Sequence, residues 1–256
     1  MGAENYQKNR LLSLERGKTI EEAFERMDKA LGVRVSLKHT ILLVLGESML
    51  EAGEYAPIMD LFVGNDVSDD VYIVGVESKA SELFSAKPPL YSTISYKVAE
   101  TFRSPDVESG IVRTNIKDFL KMHLSESGAI YIPIVDVSHG NISESNGSGK
   151  DEETDSINFG KIAVLDSRGQ RAILSREESE GLSYIYSNVN EANLYVEDEN
   201  GGGGFDVDIL DTLTTKKCDV GANTLTIDIK MWVKIGHRKS NNMGDYISPL
   251  NDAERT

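Results

Sequence analysis

One cysteine, one tryptophan and six prolines stand among the 256 residues. The lone Cys218 excludes an intrachain disulfide and any zinc site built on several thiolates. Cations are also scarce, with 27 Lys and Arg against 42 Asp and Glu, a formal charge of −15 and a pI near 4.7. Nucleic-acid phosphates are met by clustered Lys and Arg, so this balance argues against nucleic acid as a partner. It argues equally against adsorption on anionic lipid. The densest basic stretches are as short as His237-Arg238-Lys239. Long apolar runs are missing as well. Ile41 to Leu45 is the longest, far below the roughly 20 residues that cross a bilayer.

The opening residues MGAENYQKNRLLSLERGKT lack the apolar centre of a signal peptide. Tyr6 stands where a myristoylation pattern wants Ser or Thr. The chain as given is therefore expected to be soluble. Apolar residues make up 39%, somewhat under the roughly 45–50% of an ordinary domain. Periodic apolar segments nevertheless recur through most of the chain, which excludes wholesale disorder. The length suggests two domains or one large one.

What is present is a regular series of elements. Thr19-Ile20-Glu21-Glu22 is a capping box, in which a hydroxyl and a carboxylate three residues apart satisfy exposed helix amides. Ile20, Ala23, Phe24, Met27 and Leu31 then mark one apolar helix face, ended by Gly32. Leu37 to Leu45 reads as a strand buried on both faces. Short helices are expected over Glu47–Glu51 and Tyr55–Phe62, a buried strand over Val71–Val76, and a helix over Ser78–Phe84. Helices over Leu90–Phe102 and Asn115–Leu124 precede a strand over Ala129–Val137. This alternation makes residues 1–138 an α/β-like domain.

Residues 139–157, HGNISESNGSGKDEETDSI, carry five acids and one lysine and almost nothing apolar. They read as a flexible acidic linker. Residues 158–256 then form a mostly antiparallel sheet domain with one packed helix. A hairpin is expected at Lys161–Leu165 and Gln170–Leu174, turning at Asp166 to Gly169. Ser175-Arg176-Glu177-Glu178 is a second capping box, opening a helix to about Tyr186. Strands at Leu194–Val196, Phe205–Thr215 and Thr224–Ile235 complete the sheet. The clean alternation from Thr224 to Met231 predicts one face toward water. Gly201 to Gly204 reads as a loop, and the chain from His237 onward as a polar tail. The fold class is α+β.

Chemistry is thinly signalled. His39, His123, His139 and His237 share no metal-ligand spacing. His39, at the head of its strand, fits a structural anchor. Asp60, Asn65, Asp66, Asp69 and Asp70 offer oxygen ligands, but their spacing is not that of a calcium loop. Asp206, Asp208 and Asp211 could equally be imagined around a hard cation. No glycine-rich segment leads into a helix as a phosphate cradle does, and no GxSxG, SxxK or HExxH occurs. These observations nominate no catalytic residue, cofactor or metal. The residues singled out are structural: Thr19, Glu22, His39 and Glu178.

Gly17-Lys18-Thr19-Ile20-Glu21-Glu22-Ala23, followed by Leu37-Lys38-His39-Thr40-Ile41-Leu42-Leu43-Val44-Leu45-Gly46-Glu47, resembles the Ger(x)C family. These are the C subunits of nutrient germination receptors in endospore-forming bacteria. Met59-Asp60-Leu61-Phe62 and Val71 to Phe84 continue the likeness. Phe159 to Leu165 and Leu174 to Leu182, with its Glu177-Glu178 pair, extend it through the second half. Members of the family begin with a signal peptide and a lipid-modified cysteine, neither of which precedes Gly17 here. Asn65-Asp66 also stands where an Arg-Asp pair is common.

The resemblance implies a non-enzymatic extracytoplasmic C subunit that works through contacts with membrane-embedded A and B subunits. It implies a place on the outer face of the spore inner membrane, held by a lipid anchor of the precursor. A solute-binding module holding a nutrient between two domains is the alternative reading. A hydrolase using the scattered carboxylates is a more distant one.

Overall fold

A computed structural model describes residues 11–53, 55, 57–58, 61–62, 67–68, 70–88, 91, 93–104, 112–141, 153–166, 168–186, 189, 192–197 and 203–240. The chain divides into two compact units inside a single helix, between Ser179 and Glu180. The first unit holds α1 (Ile20–Leu31), β1 (Leu42–Leu45), α2 (Glu47–Ala52), β2 (Tyr72–Gly75), α3 (Ala80–Ser85), α4 (Ile94–Arg103) and α5 (Ile116–His123). It continues through β3 (Ile130–Asn141), β4 (Glu153–Asp166), β5 (Gly169–Leu174) and the first turn of α6 (Arg176–Tyr186). The second unit holds the rest of α6 with β6 (Ala192–Glu197), β7 (Gly203–Asp219) and β8 (Thr224–Ser240). The expected α+β class stands.

In the first unit the strands form one mixed sheet in chain order, β1-β2-β3-β4-β5. The first three run parallel and the last two turn back antiparallel. Successive side chains of a strand point to opposite faces, and this sheet is covered on both. Leu45, Ile73, Ile130, Ile132, Ile134 and Leu165 face one cluster, where Leu50 of α2, Ile116 and Phe119 of α5, and Tyr55 cover them. Leu42, Val74, Val135 and Phe159 face the other, beneath Leu83 of α3 and Val98 and Phe102 of α4. Aromatic edges close each layer: Tyr55 meets Phe119 at 5.7 Å and Tyr72 meets Phe102 at 5.1 Å, both near perpendicular. Two-sided burial is why β1 and β2 read as apolar runs.

Several boundaries differ from the expected ones. The first strand starts at Leu42, because Leu37 to Thr40 closes as a turn, with the Thr40 amide donating to the Leu37 carbonyl at 3.0 Å. The acidic stretch does not separate two domains. β3 and β4 pair from Ile130↔Leu165 out to Asn141↔Glu153, so its ends are the tips of a hairpin within one sheet. Residues 142–152 lie outside the described ones. Gly203 and Gly204 open β7, and His237 to Ser240 extend β8, where a loop and a tail were expected.

In the second unit β6, β7 and β8 form an antiparallel sheet in that order. Its small core is Tyr184, Val189, Ala192 and Ile209. Hydroxyls pin α6 and the chain after it to β7. Thr212 Oγ1 accepts from the Val189 amide at 2.6 Å and donates to the Val189 carbonyl at 3.0 Å. Thr214 Oγ1 donates to the Tyr184 carbonyl at 2.5 Å.

Candidate functional site

The four residues singled out from sequence fall in three places. Thr19 is the N-cap of α1, its Oγ1 accepting from the Glu22 amide at 3.2 Å. The Glu22 carboxylate reaches past Thr19 to the Lys18 amide at 2.7 Å and receives Arg26 at 2.6 Å. The Lys18 amide first, then Arg26, holds this carboxyl below its ordinary range. Glu178 closes a fully reciprocal box: its amide donates to Ser175 Oγ at 3.2 Å, and its carboxylate accepts from the Ser175 amide at 2.8 Å. His39 lies exposed in the turn ahead of β1. Thr19 and Glu22 are brought together; His39 and Glu178 stand apart from them in the chain's architecture.

Several of the described carboxylates, and His123, have local partners. Asp166 accepts from Arg171 Nε at 2.7 Å, from the Arg168 side chain at 3.0 Å and from the Arg168 amide at 2.7 Å. Arg171 above all holds its carboxyl well below the ordinary value. Lys161 joins Glu77 at 2.5 Å and Asp136 at 3.4 Å across the sheet, which raises the lysine's pKa. Asp208 receives Asn193 Nδ2 at 2.8 Å and sits opposite Lys234 on β8. Asp211 accepts from the Thr212 amide at 2.8 Å. His123 stacks on Phe119 at 6.5 Å. No group of three or more His, Cys, Asp or Glu is placed to hold a metal among the described residues. Asp60, Asn65, Asp66 and Asp69 lie outside them.

What stands out instead is surface. The apolar stripe of α1, from Ile20 to Leu31, is only half-covered and has no buried member. On β8 the departure from expectation is larger. Leu225, Ile227, Ile229, Met231, Val233 and Ile235 share one face at alternate positions, each between 37% and 65% exposed. The register sets Val233 and Ile235 opposite Ile209 and Val207, which are buried. The row therefore starts beside the small core and runs out uncovered along the outermost strand, where one covered face was expected. An alternating apolar strand identifies such a row in the sequence, but not whether anything packs on it.

Geometry of this kind defines an α+β protein of two units. Among the described residues no helix is long and apolar enough to cross a membrane. A family model described as the spore germination protein N-terminal domain matches residues 2–137, just over half of the chain. The chain belongs to that family of spore germination proteins. The crystal structure of the GerBC protein is similar over 86% of this chain, with a TM-score of 0.54 and 15% sequence identity. That likeness is one of fold, and it covers 60% of the GerBC chain. No curated protein matches the sequence.

Proposed function

We propose that this protein is the extracytoplasmic C subunit of a nutrient-responsive spore germination receptor. It contributes protein contacts to membrane-embedded A and B subunits and carries out no chemistry of its own. In the spore it sits on the outer face of the inner membrane, held by a lipid anchor of the precursor. The observation that carries this reading is the family match over residues 2–137. The half-covered stripe of α1 supports it, because an amphipathic helix with no buried residue offers apolar area to a partner.

The test is fractionation of spores followed by capture of the native protein from detergent extracts. Release from membranes only by detergent, with the A and B subunits recovered alongside, is the expected result. A freely soluble protein recovered without them would remove the receptor role and leave the family membership standing.

A further inference from the structure

We propose that β8 is a self-pairing edge, through which two copies of the chain join antiparallel about a twofold axis at Ile229 to make one continuous six-stranded sheet. The proposal does not depend on the receptor reading. Among the described residues β8 pairs with β7 alone, so one side of a 17-residue strand carries unpaired amides and carbonyls. Such an edge is a template for another strand. Lysines normally blunt it, and Lys230 and Lys234 on β8 would do so by repulsion. One register answers Lys230, next to the middle of the strand, with a carboxylate while keeping the apolar row matched.

Residues directly opposite each other in an antiparallel pair share a face. A twofold pairing of β8 with itself must therefore be centred on a residue. Centred on Asp228 it sets aspartate against aspartate, and centred on Lys230 it sets lysine against lysine. Centred on Ile229, Asp228 of each copy faces Lys230 of the other. The same register sets Ile229 against Ile229, Ile227 against Met231 and Leu225 against Val233, so the apolar row from Leu225 to Val233 matches itself, while Trp232 falls opposite Thr226 on the other face. Centring on Met231 sets Asp228 against Lys234 but leaves Lys230 against Trp232 and moves Leu225 opposite position 237, which loses that match. The overlap from Thr224 to Lys234 spans ~34 Å at the usual rise of an antiparallel strand. The axis runs normal to the sheet, so both apolar rows lie on one side and merge.

The test is sedimentation velocity on the full chain over a concentration series. Wild type is expected to dimerise. Asp228→Lys and Lys230→Asp each set like charges opposite, and each should weaken the dimer at least tenfold with circular dichroism unchanged. The double variant D228K/K230D restores the opposed pairs and should recover wild-type affinity. A monomeric wild type, unaffected single variants, or a double variant as weak as the singles would overturn the proposal. An independent measurement uses Ile229→Cys in a Cys218→Ser background. Under an added oxidant it should cross-link readily, whereas Leu225→Cys, which faces Val233, should not. Equal cross-linking at both positions would overturn the register.

Discussion

Gly53 and Gly169 pack backbone to backbone, with the end of α2 resting on the start of β5. Both have positive φ, 69° and 106°. A Cβ on Gly169 would strike the Glu51 carbonyl, and one on Gly53 would strike the Gly169 amide. The contact ties a helix over the sheet to the Asp166 hairpin at its edge.

That geometry makes Gly169→Ala costly twice over, through backbone conformation and through collision with main chain. A loss of about 2–4 kcal/mol in urea unfolding is expected, with Gly53→Ala similar. Gly128 also has positive φ, 59°, but nothing lies within 4 Å of its missing Cβ. Gly128→Ala should therefore cost only about 1–2 kcal/mol. Equal effects at the three sites would show that the close contact is not formed.

The two helix caps should respond differently in kind. Thr19→Ala removes the hydroxyl that receives the Glu22 amide and should cost about 1 kcal/mol. Because α1 buries no residue, the loss should appear as faster amide exchange in its first turn more than as a lower global midpoint. Ser175→Ala breaks the reciprocal box of α6, whose Ser179 and Ser183 are buried, and should cost about 1 kcal/mol in global unfolding. An unmoved exchange rate in α1 would refute the first assignment.

Acid should weaken the first unit through Asp166. Its carboxyl is held below the ordinary value of 3.8, so the folded form binds the proton less readily than the unfolded one. Stability from this group is whole above that value and declines as the pH falls through it. Asp166→Asn removes the titrating carboxylate, so the variant's melting temperature should fall less steeply below about pH 4 than that of wild type. Parallel slopes for the two proteins would rule the carboxylate out.

Alkali tests two buried phenols. Burial first, then the charge of Asp166, pushes Tyr55 up to about 12, and burial with Glu180 does the same to Tyr184. A raised phenol pKa means stability that is whole below the ordinary value of 10 and declines as the pH climbs toward 12. Ultraviolet titration should show these two tyrosines ionising last, together with alkaline unfolding. Ionisation of every tyrosine near 10 would contradict their burial.

The same two residues differ in hydrogen bonding. Tyr55 donates to the Leu50 carbonyl at 3.2 Å, while the Tyr184 hydroxyl has no partner among the described residues. Tyr55→Phe should cost about 1 kcal/mol, and Tyr184→Phe should be neutral or slightly stabilising. Thermal melts of both variants decide the matter. A large loss at Tyr184 would mean that its hydroxyl is bonded after all.

Much of the local structure was legible because its causes are local. The α1 stripe, the Gly32 stop, the Asn115 start of α5 and the Ser175 box are set by neighbours three or four residues apart. The hairpin at Asp166 to Gly169 is likewise a short-range event. The acidic stretch reads as a linker because composition does not report strand pairing, and Asn141 pairs with Glu153 across it. His39 reads as part of a strand because the turn at Leu37 to Thr40 has no glycine or proline to announce it.

From sequence alone came the α+β class, the order of elements, the two capped helices and the likeness to a spore germination family. Short-range periodicity and ordered motifs suffice for these. Only the tertiary structure decided that β3 and β4 lie side by side in one mixed sheet, that the division falls inside α6, and that the apolar row of β8 lies uncovered among the described residues. Each of those depends on which distant segments meet, and the alternation of a strand specifies a face without specifying what packs on it.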